Sequence, residues 1–582
     1  MRKSSSTSHT GIPGGPNYVL RFVLVAIACS VVVCYPGLLR VVLRLVSPGS
    51  HAPRFRPGYT YPRVTVGNIT YEGLSLASYR QEFFGGIPYA LPPIAELRFR
   101  RPVAYPQPAQ HRILSSQYFG KQCMQSTCNE DDRKRTSEDC LTLSILRPTA
   151  VSAAHPLPVM VWIHGGGFHA GNGNYNGSRL VGRSVFRGTP VIFVSLNYRL
   201  AAWGFPQGVA AHDEGILNLG LRDQVAALEW VRDNIRAFGG DPQRITLYGE
   251  SAGAISVSMH FFNPHSASLF HRAIFISGAP TTMPIYPPMK RGPNFAQFAS
   301  QSGCTNASTI LECLRSAPVD TLLKAHDTVM NDPDVDLGIF SRFPWTPTID
   351  GDLIPDDPRT LMHSGPTAQK PYITGCNLDE GTIFTPHWLN SSNDVQTLLA
   401  PVLGHKLARD LVHQYNNTAL RSPYNLGNNT LDPIYGTEYT RGAAIAGDLL
   451  FHGPRKEMNK AGISPLRKHW AYHFTDDALV PHTSPSGVYH GITLGYFFGT
   501  VLEYTQRTDV ANLVAEAMDY FVAFATTGNP NDARGQPRPY WPAYEESWIA
   551  NLLELHSRGS SLTSDTYRWD QLEFLMRSFP AP

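Results

Sequence analysis

From about residue 60 onward, short runs of apolar residues fall between segments with a helical repeat. Pro158-Val-Met-Val-Trp-Ile-His164 and Val191-Ile-Phe-Val-Ser-Leu-Asn197 are almost unbroken apolar runs, the pattern of strands covered on both faces. Leu141-Thr-Leu-Ser-Ile145 alternates apolar and polar positions, and Val64-Thr-Val-Gly-Asn-Ile-Thr-Tyr71 reads as an opening strand. Across 218–238, Leu221, Val225, Leu228, Val231 and Ile235 recur at helical spacing. Arg244-Ile-Thr-Leu-Tyr248 reads as another buried strand and leads into a helix-like segment at 254–262. Strands alternating with helices predict the α/β class, with a large, mostly parallel central sheet and helices on both faces.

Glycines mark where two of these strands end. Between the strand at 244–248 and its helix stands Gly249-Glu-Ser-Ala-Gly253. A turn so tight excludes bulky neighbours, lifts the Ser251 hydroxyl above the sheet, and faces it with a helix N-terminus. With 49 glycines in the chain, G-x-S-x-G can arise by chance, and the flanking strand and helix are what distinguish this one. The strand at 158–164 ends in Gly165-Gly166-Gly167. Backbone N–H groups that no side chain shields are what a preformed oxyanion hole requires, the plain alternative being a flexible turn. A serine nucleophile needs a base and an acid to orient it. Nine histidines lie beyond residue 380, so spacing alone does not select the base.

The balance of 49 basic and 46 acidic residues, a net charge of +3 without long runs, argues against nucleic acid as a partner. At 582 residues and 42% hydrophobic the chain can bury a large core. It divides into a polar tail at 1–21, an uncharged segment at 22–39, a linker at 40–59 and a catalytic domain over 60–582. The apolar run 22–35 lies where signal-peptide cores and short membrane spans overlap. The long polar lead favours a signal anchor, hence membrane association, with the rest lumenal or extracellular; a cleaved signal and a secreted enzyme are the alternative. Six N-x-S/T sequons, at Asn68, Asn176, Asn306, Asn390, Asn416 and Asn428, suit the secretory route. Cys304 and Cys313 enclose a short loop, and Cys123 and Cys140 enclose a charged segment containing Cys128. In a lumenal protein these pairs read as disulfides. Zinc ligation is the rival, but no C-x-x-C or clustered His accompanies them.

Several motifs occur in order: Gly86-Ile-Pro-Tyr-Ala90, Ser137-Glu-Asp-Cys-Leu141, the glycine run 165–167, Asn197-Tyr-Arg199, Gly249-Glu-Ser-Ala-Gly253, Asp379-Glu-Gly381, His490-Gly491 and Phe524-Ala-Thr-Thr-Gly-Asn-Pro530. Together they resemble the type-B carboxylesterase/lipase family, the α/β-hydrolase branch that also holds cholinesterases and neuroligins, over roughly residues 60–575. The resemblance implies a serine carboxylesterase with Ser251 as nucleophile, Glu380 as acid (Asp379 being the adjacent alternative) and His490 as base. It implies oxyanion donors at the N–H groups of Gly166, Gly167 and Ala252, and no metal or organic cofactor. It also implies bridges Cys123–Cys140 and Cys304–Cys313 and ion pairs Arg98–Glu138 and Arg199–Asp223, leaving Cys128 and Cys376 unpaired.

Departures from the family pattern narrow the substrate. Only 16 residues separate Cys123 from Cys140. This loop lacks the tryptophan on which cholinesterase-like members stack choline, and it carries Asp131, Asp132, Arg133 and Lys134 instead. It also lacks the long apolar flap of interfacial lipases. Small soluble esters are therefore the expected substrates, and an aromatic wall near Trp345 or Trp388 is the open possibility. The other readings are an acyltransferase or pathway-specific esterase of secondary metabolism, a lipase, or a non-catalytic adhesion-type member of the fold. Oligomeric state is not legible.

Overall fold

The computed structural model describes residues 61–578 apart from 128, 306–309, 333–337, 341–342, 365–368, 417–419, 424–433, 465–466, 482–483 and 546–550. The tail 1–21, the apolar segment 22–39 and the linker up to residue 59 lie outside the described residues, as do Cys128, Asn306 and Asn428. Among the described residues no helix is long and apolar enough to cross a membrane.

The strands in chain order are β1 (Arg63–Val66), β2 (Ile69–Glu72), β3 (Leu74–Leu76), β4 (Gln81–Pro88), β5 (Arg112–Ser115), β6 (Thr142–Pro148) and β7 (Leu157–Ile163). They continue with β8 (Ile192–Leu196), β9 (Gly240–Glu250), β10 (Arg272–Ile276), β11 (Tyr372–Asn377), β12 (His469–Phe474), β13 (Asn551–Leu555) and β14 (Ser561–Ser564). One sheet has the order β14-β13-β12-β11-β10-β9-β7-β8-β6-β4-β3. From β8 to β13 every neighbouring pair is parallel. The outer pairs at both edges are antiparallel. A separate small sheet, β1-β2-β5, lies N-terminally. The opening strand expected over 64–71 is in fact the hairpin β1–β2, because Gly67 takes a left-handed φ of 55° and turns the chain back at Gly67-Asn68.

The unbroken apolar strands have a simple cause. In β7, Val159, Val161 and Ile163 join one core, while Met160 and Trp162 join the other. Successive side chains point to opposite faces, so a strand between two helical layers must be apolar at both parities. The first core takes the helix Leu219–Asn234 and the helix Ala252–Phe262. The second takes the helices Ser178–Phe186 and Thr508–Thr527. All eleven residues of Ala252–Phe262 are buried, which is why its sequence lacks a polar stripe.

Bridges join Cys123 to Cys140 (Cα–Cα 5.1 Å) and Cys304 to Cys313 (5.7 Å), and Cys376 is a buried free thiol. Arg98 grips Glu138 through Nε and Nη2, and Arg199 grips Asp223 through the same edge. Because β7, β9, β10 and β11 run parallel, their C-terminal ends lie along one edge of the sheet. Gly165, Ser251, Ser277 and Glu380 all follow within a few residues of those ends. In open α/β sheets this edge is where ligands bind.

Candidate active site

Strand β9 turns into the helix Ala252–Phe262 at a single residue. Ser251 holds φ 56° and ψ −125°, a conformation a non-glycine residue adopts only when its surroundings impose it. Its N–H donates to the carbonyl of Ile276 (2.9 Å). The flanking glycines are sterically required. A Cβ on Gly253 would stand 2.1 Å from the Ile163 carbonyl oxygen, and one on Gly249 would stand 2.5 Å from the Gly253 carbonyl carbon. Gly278 likewise lets the strand-end turn after β10 approach the Ser251 carbonyl.

Beyond β7 the chain passes Gly166 at φ 104°, Gly167 at 62° and Phe168 at 64°. This left-handed run keeps the backbone from continuing as a strand. Gly166 takes two return hydrogen bonds on its carbonyl, from the N–H groups of His169 and Ala170. No hydrogen bond from the N–H of Gly166 or Gly167 occurs among the described residues. Ala252 is the first residue of its helix, so its N–H has no intrahelical acceptor.

Glu380 and His490, 110 residues apart, meet at 2.5 Å between Oε2 and Nδ1, both buried. The other Glu380 oxygen accepts from the Asn377 N–H (2.7 Å) and the Ser277 hydroxyl (2.5 Å). Its carboxylate is thereby fixed from three sides. Neighbouring Asp379 does different work: Oδ2 accepts the Val488 N–H at 2.9 Å and Oδ1 the Ser422 hydroxyl, tying the histidine's loop to the sheet. His490 Nε2 makes no hydrogen bond and lies 3.2 Å from Glu250 Oε1. The Ser251–His490 hydrogen bond is thus not formed in this structure. Burial pulls the His490 imidazole downward, but Glu250 and Glu380 outweigh it and the net direction is upward. Glu250 itself is pushed up to about 7, first by burial and then by Glu380, against the lowering effect of His490.

Several residues at the site carry no sequence motif. Glu250 stands inside the G-x-S-x-G pattern, but nothing in the pattern says that its side chain turns toward His490. Ser277 sits at φ 50° just past β10, legible only once the strand ends are known to share an edge. Phe384 and Phe451 lie with ring centroids 5.0 and 4.5 Å from that of His490, and Phe343 packs against Phe384, His169 and Gly167. Trp345 and Trp388 do not build this wall. Trp345 is fully buried against Phe298 and His326, and Trp388 is more than half exposed. The 123–140 loop holds a short charged helix, Glu130–Arg135, and Gln125 pins it to the turn at Gly171 by hydrogen bonds in both directions. Asn68, Asn176, Asn390 and Asn416 are exposed. Among the described residues no cluster of side chains suits a metal ion.

The model of the carboxylesterase family matches residues 63–574. Lipase 2 of Geotrichum candidum is 34% identical over 534 residues, covering 83% of this chain and 90% of its own. Secreted lipase 1 of Botryotinia fuckeliana is 31% identical over 564 residues, covering 89% and 93%. The crystal structure of Aspergillus niger EstA superposes with a TM-score of 0.75 at 26% identity, over 89% of this chain and 98% of that one. The strained serine turn, the buried carboxylate–imidazole pair and this match across the sheet agree, and the chain belongs to the carboxylesterase family of carboxylic ester hydrolases.

Proposed function

We propose that this protein is a serine carboxylesterase whose nucleophile is Ser251, with His490 as general base and Glu380 as its orienting acid. The observation that carries the reading is the buried 2.5 Å contact of Glu380 with His490 Nδ1, which fixes the tautomer that leaves Nε2 to accept a proton. Ser251 attacks the ester carbonyl as His490 takes its proton, and Glu380 stabilises the imidazolium. The N–H groups of Gly166, Gly167 and Ala252 hold the oxyanion, each removal costing about 3 kcal/mol of barrier in comparable sites. His490 protonates the departing alcohol, and water then repeats the sequence on the acyl-enzyme. Replacing Ser251 by Ala tests the reading. Loss of at least about four orders of magnitude in kcat is expected, and turnover near that of the parent would refute it.

The substrate reading is of dissolved short- and medium-chain esters. The short, charged 123–140 loop, bridged at its base and tethered through Gln125, supports it by offering no apolar flap to open at an oil surface. The relatives named as lipases favour the second reading, emulsified triacylglycerol, and a rate jump at the solubility limit would select it. A catalytic domain from residue 60 onward, preceded by the tail, the apolar segment 22–39 and the linker, enters the secretory route. The disulfides, the exposed sequons and a relative named as secreted support that placement. Retention on membranes after alkaline carbonate selects an anchor at 22–39, and release selects a cleaved signal.

A further inference from the structure

A turn that presents N–H groups to a developing charge needs its peptide planes held, and the planes of the glycine run are held in different ways. The plane carrying the Gly167 N–H is fixed through the Gly166 carbonyl, which accepts from the N–H groups of His169 (3.2 Å) and Ala170 (3.0 Å). The next plane is fixed through the Gly167 carbonyl by His169 Nδ1, at 3.1 Å. The plane carrying the Gly166 N–H has the Gly165 carbonyl at its other end. Among the described residues no backbone N–H reaches that oxygen. Its partner is a side chain, Nδ1 of His164, at 2.8 Å.

His164 is the first residue past β7 and is fully buried. A carbonyl only accepts, so Nδ1 carries the proton. Burial, which lowers the imidazole to about 4, keeps the ring neutral with that one proton. Nε2 is then a buried acceptor, and it has no partner. The ring stacks on Tyr198, with centroids 4.4 Å and planes 19° apart, and the Tyr198 hydroxyl donates to the His164 carbonyl at 2.9 Å. Gly171 closes over the hydrogen bond: a Cβ there would stand 2.5 Å from His164 Nδ1 and 2.6 Å from the Gly165 carbonyl oxygen. The plane so held lies against the nucleophile, since a Cβ on Gly165 would stand 3.0 Å from the Ser251 Cβ. A phenyl ring would fill the same space and stack on Tyr198 without leaving a buried acceptor unpaired. Packing alone therefore gives no reason for an imidazole here, whereas the Nδ1 hydrogen bond does.

We propose that His164 is a positioning residue for the oxyanion turn, its Nδ1–H fixing the Gly165–Gly166 peptide so that the Gly166 N–H is aimed before substrate arrives. By drawing on the carbonyl it also makes that N–H a stronger donor. The inference rests on the esterase reading above. His164 transfers no proton and acts through the Gly166 N–H alone, so its effect falls on kcat rather than KM.

The test pairs two variants whose rate and stability should move in opposite directions. His164→Phe keeps a stacked ring but has no donor. Its thermal midpoint should equal or exceed the parent's, while kcat on a p-nitrophenyl ester falls about ten- to hundredfold with KM little changed. His164→Asn gives up the ring but sets its amide N–H where Nδ1 stands, so it should be less stable and yet keep kcat within about threefold of the parent. A trifluoromethyl ketone gives the second readout. Ser251 Oγ adds to its carbonyl carbon, the serine proton passes to His490, and the ketone oxygen becomes an oxyanion in the turn. Its Ki should rise in His164→Phe by the factor by which kcat/KM falls, and stay near the parent's in His164→Asn. If His164→Phe does not fold, His164→Gln takes its place, because its donor lies one methylene beyond Nδ1. A donor-less variant with parental kcat and Ki, or a His164→Asn enzyme as slow as that variant, would overturn the proposal. A parent that neither hydrolyses the ester nor binds the ketone would instead overturn the esterase reading.

Discussion

The two halves of the site are built by different means. On the side of β7 and β9, the geometry is made by backbone. Ser251, Gly166 and Gly167 occupy left-handed conformations, and the glycines beside them are demanded by carbonyls 2.1–2.5 Å from where a Cβ would stand. On the side of β11 and the loop carrying His490, the geometry is made by side-chain pairing across 110 residues. Adjacent carboxylates there have different partners: Glu380 meets His490 Nδ1, and Asp379 braces the loop through the Val488 N–H. A backbone-built half fails by losing its shape, and a pair-built half fails by losing charge or direction.

The largest effects should separate chemistry from scaffold. His490→Ala should cost kcat about as much as loss of the Ser251 hydroxyl, because the two act as a unit. Glu380→Gln should cost roughly 10²- to 10⁴-fold in kcat with the thermal midpoint little changed, since the amide can still fill the space but no longer orients the imidazole. Steady-state kinetics on a p-nitrophenyl ester, with a melting curve alongside, would show whether the loss lies in rate alone.

On the backbone-built half the expectation is reversed. Gly253→Ala forces a methyl onto the Ile163 carbonyl and should lower stability by about 1–3 kcal/mol or more. Denaturant unfolding should register it, and a fully stable variant would show that the turn can relax. Asp379→Asn is the matching case in the pair-built half. It should destabilise by about 1–3 kcal/mol while leaving the residual kcat far above that of Glu380→Gln.

The smallest effect concerns pH. In the mechanism proposed above His490 must be neutral to accept the serine proton, and its carboxylate neighbours hold its pKa above the ordinary 6.5. The acid limb of kcat/KM should therefore have its midpoint above that value, with activity lost as pH falls through it. Glu250→Gln removes one negative neighbour, so the limb should move toward lower pH. A profile that stays put, or moves upward, would mean that Glu250 does not act on His490 electrostatically.

The same contrast explains what was legible in the sequence. Ser251, the glycine run and the β7–β9 strands could be read directly, because a steric demand on the backbone leaves glycines at fixed spacing. Val64–Tyr71 reads as one strand in the sequence because the turn demand at Gly67 is carried by a single residue inside an otherwise β-rich run. Choosing Glu380 over Asp379, or His490 among nine histidines, needed the family resemblance, since side-chain pairing across distant loops leaves no local periodicity. Phe343, Phe384 and Phe451 were not legible at all. An isolated phenylalanine has the same composition signal whether it packs beside His490 or fills a core, and Trp345 shows the opposite case, a buried residue that reads as a candidate wall.

The most direct measurement of the central claim is to label the enzyme with a fluorophosphonate ester and map the adduct by peptide mass spectrometry. The account predicts one adduct, on Ser251, forming in step with loss of esterase activity and abolished when His490 is replaced by Ala. Inactivation with the label on any other serine, or full labelling of Ser251 with activity intact, would contradict it.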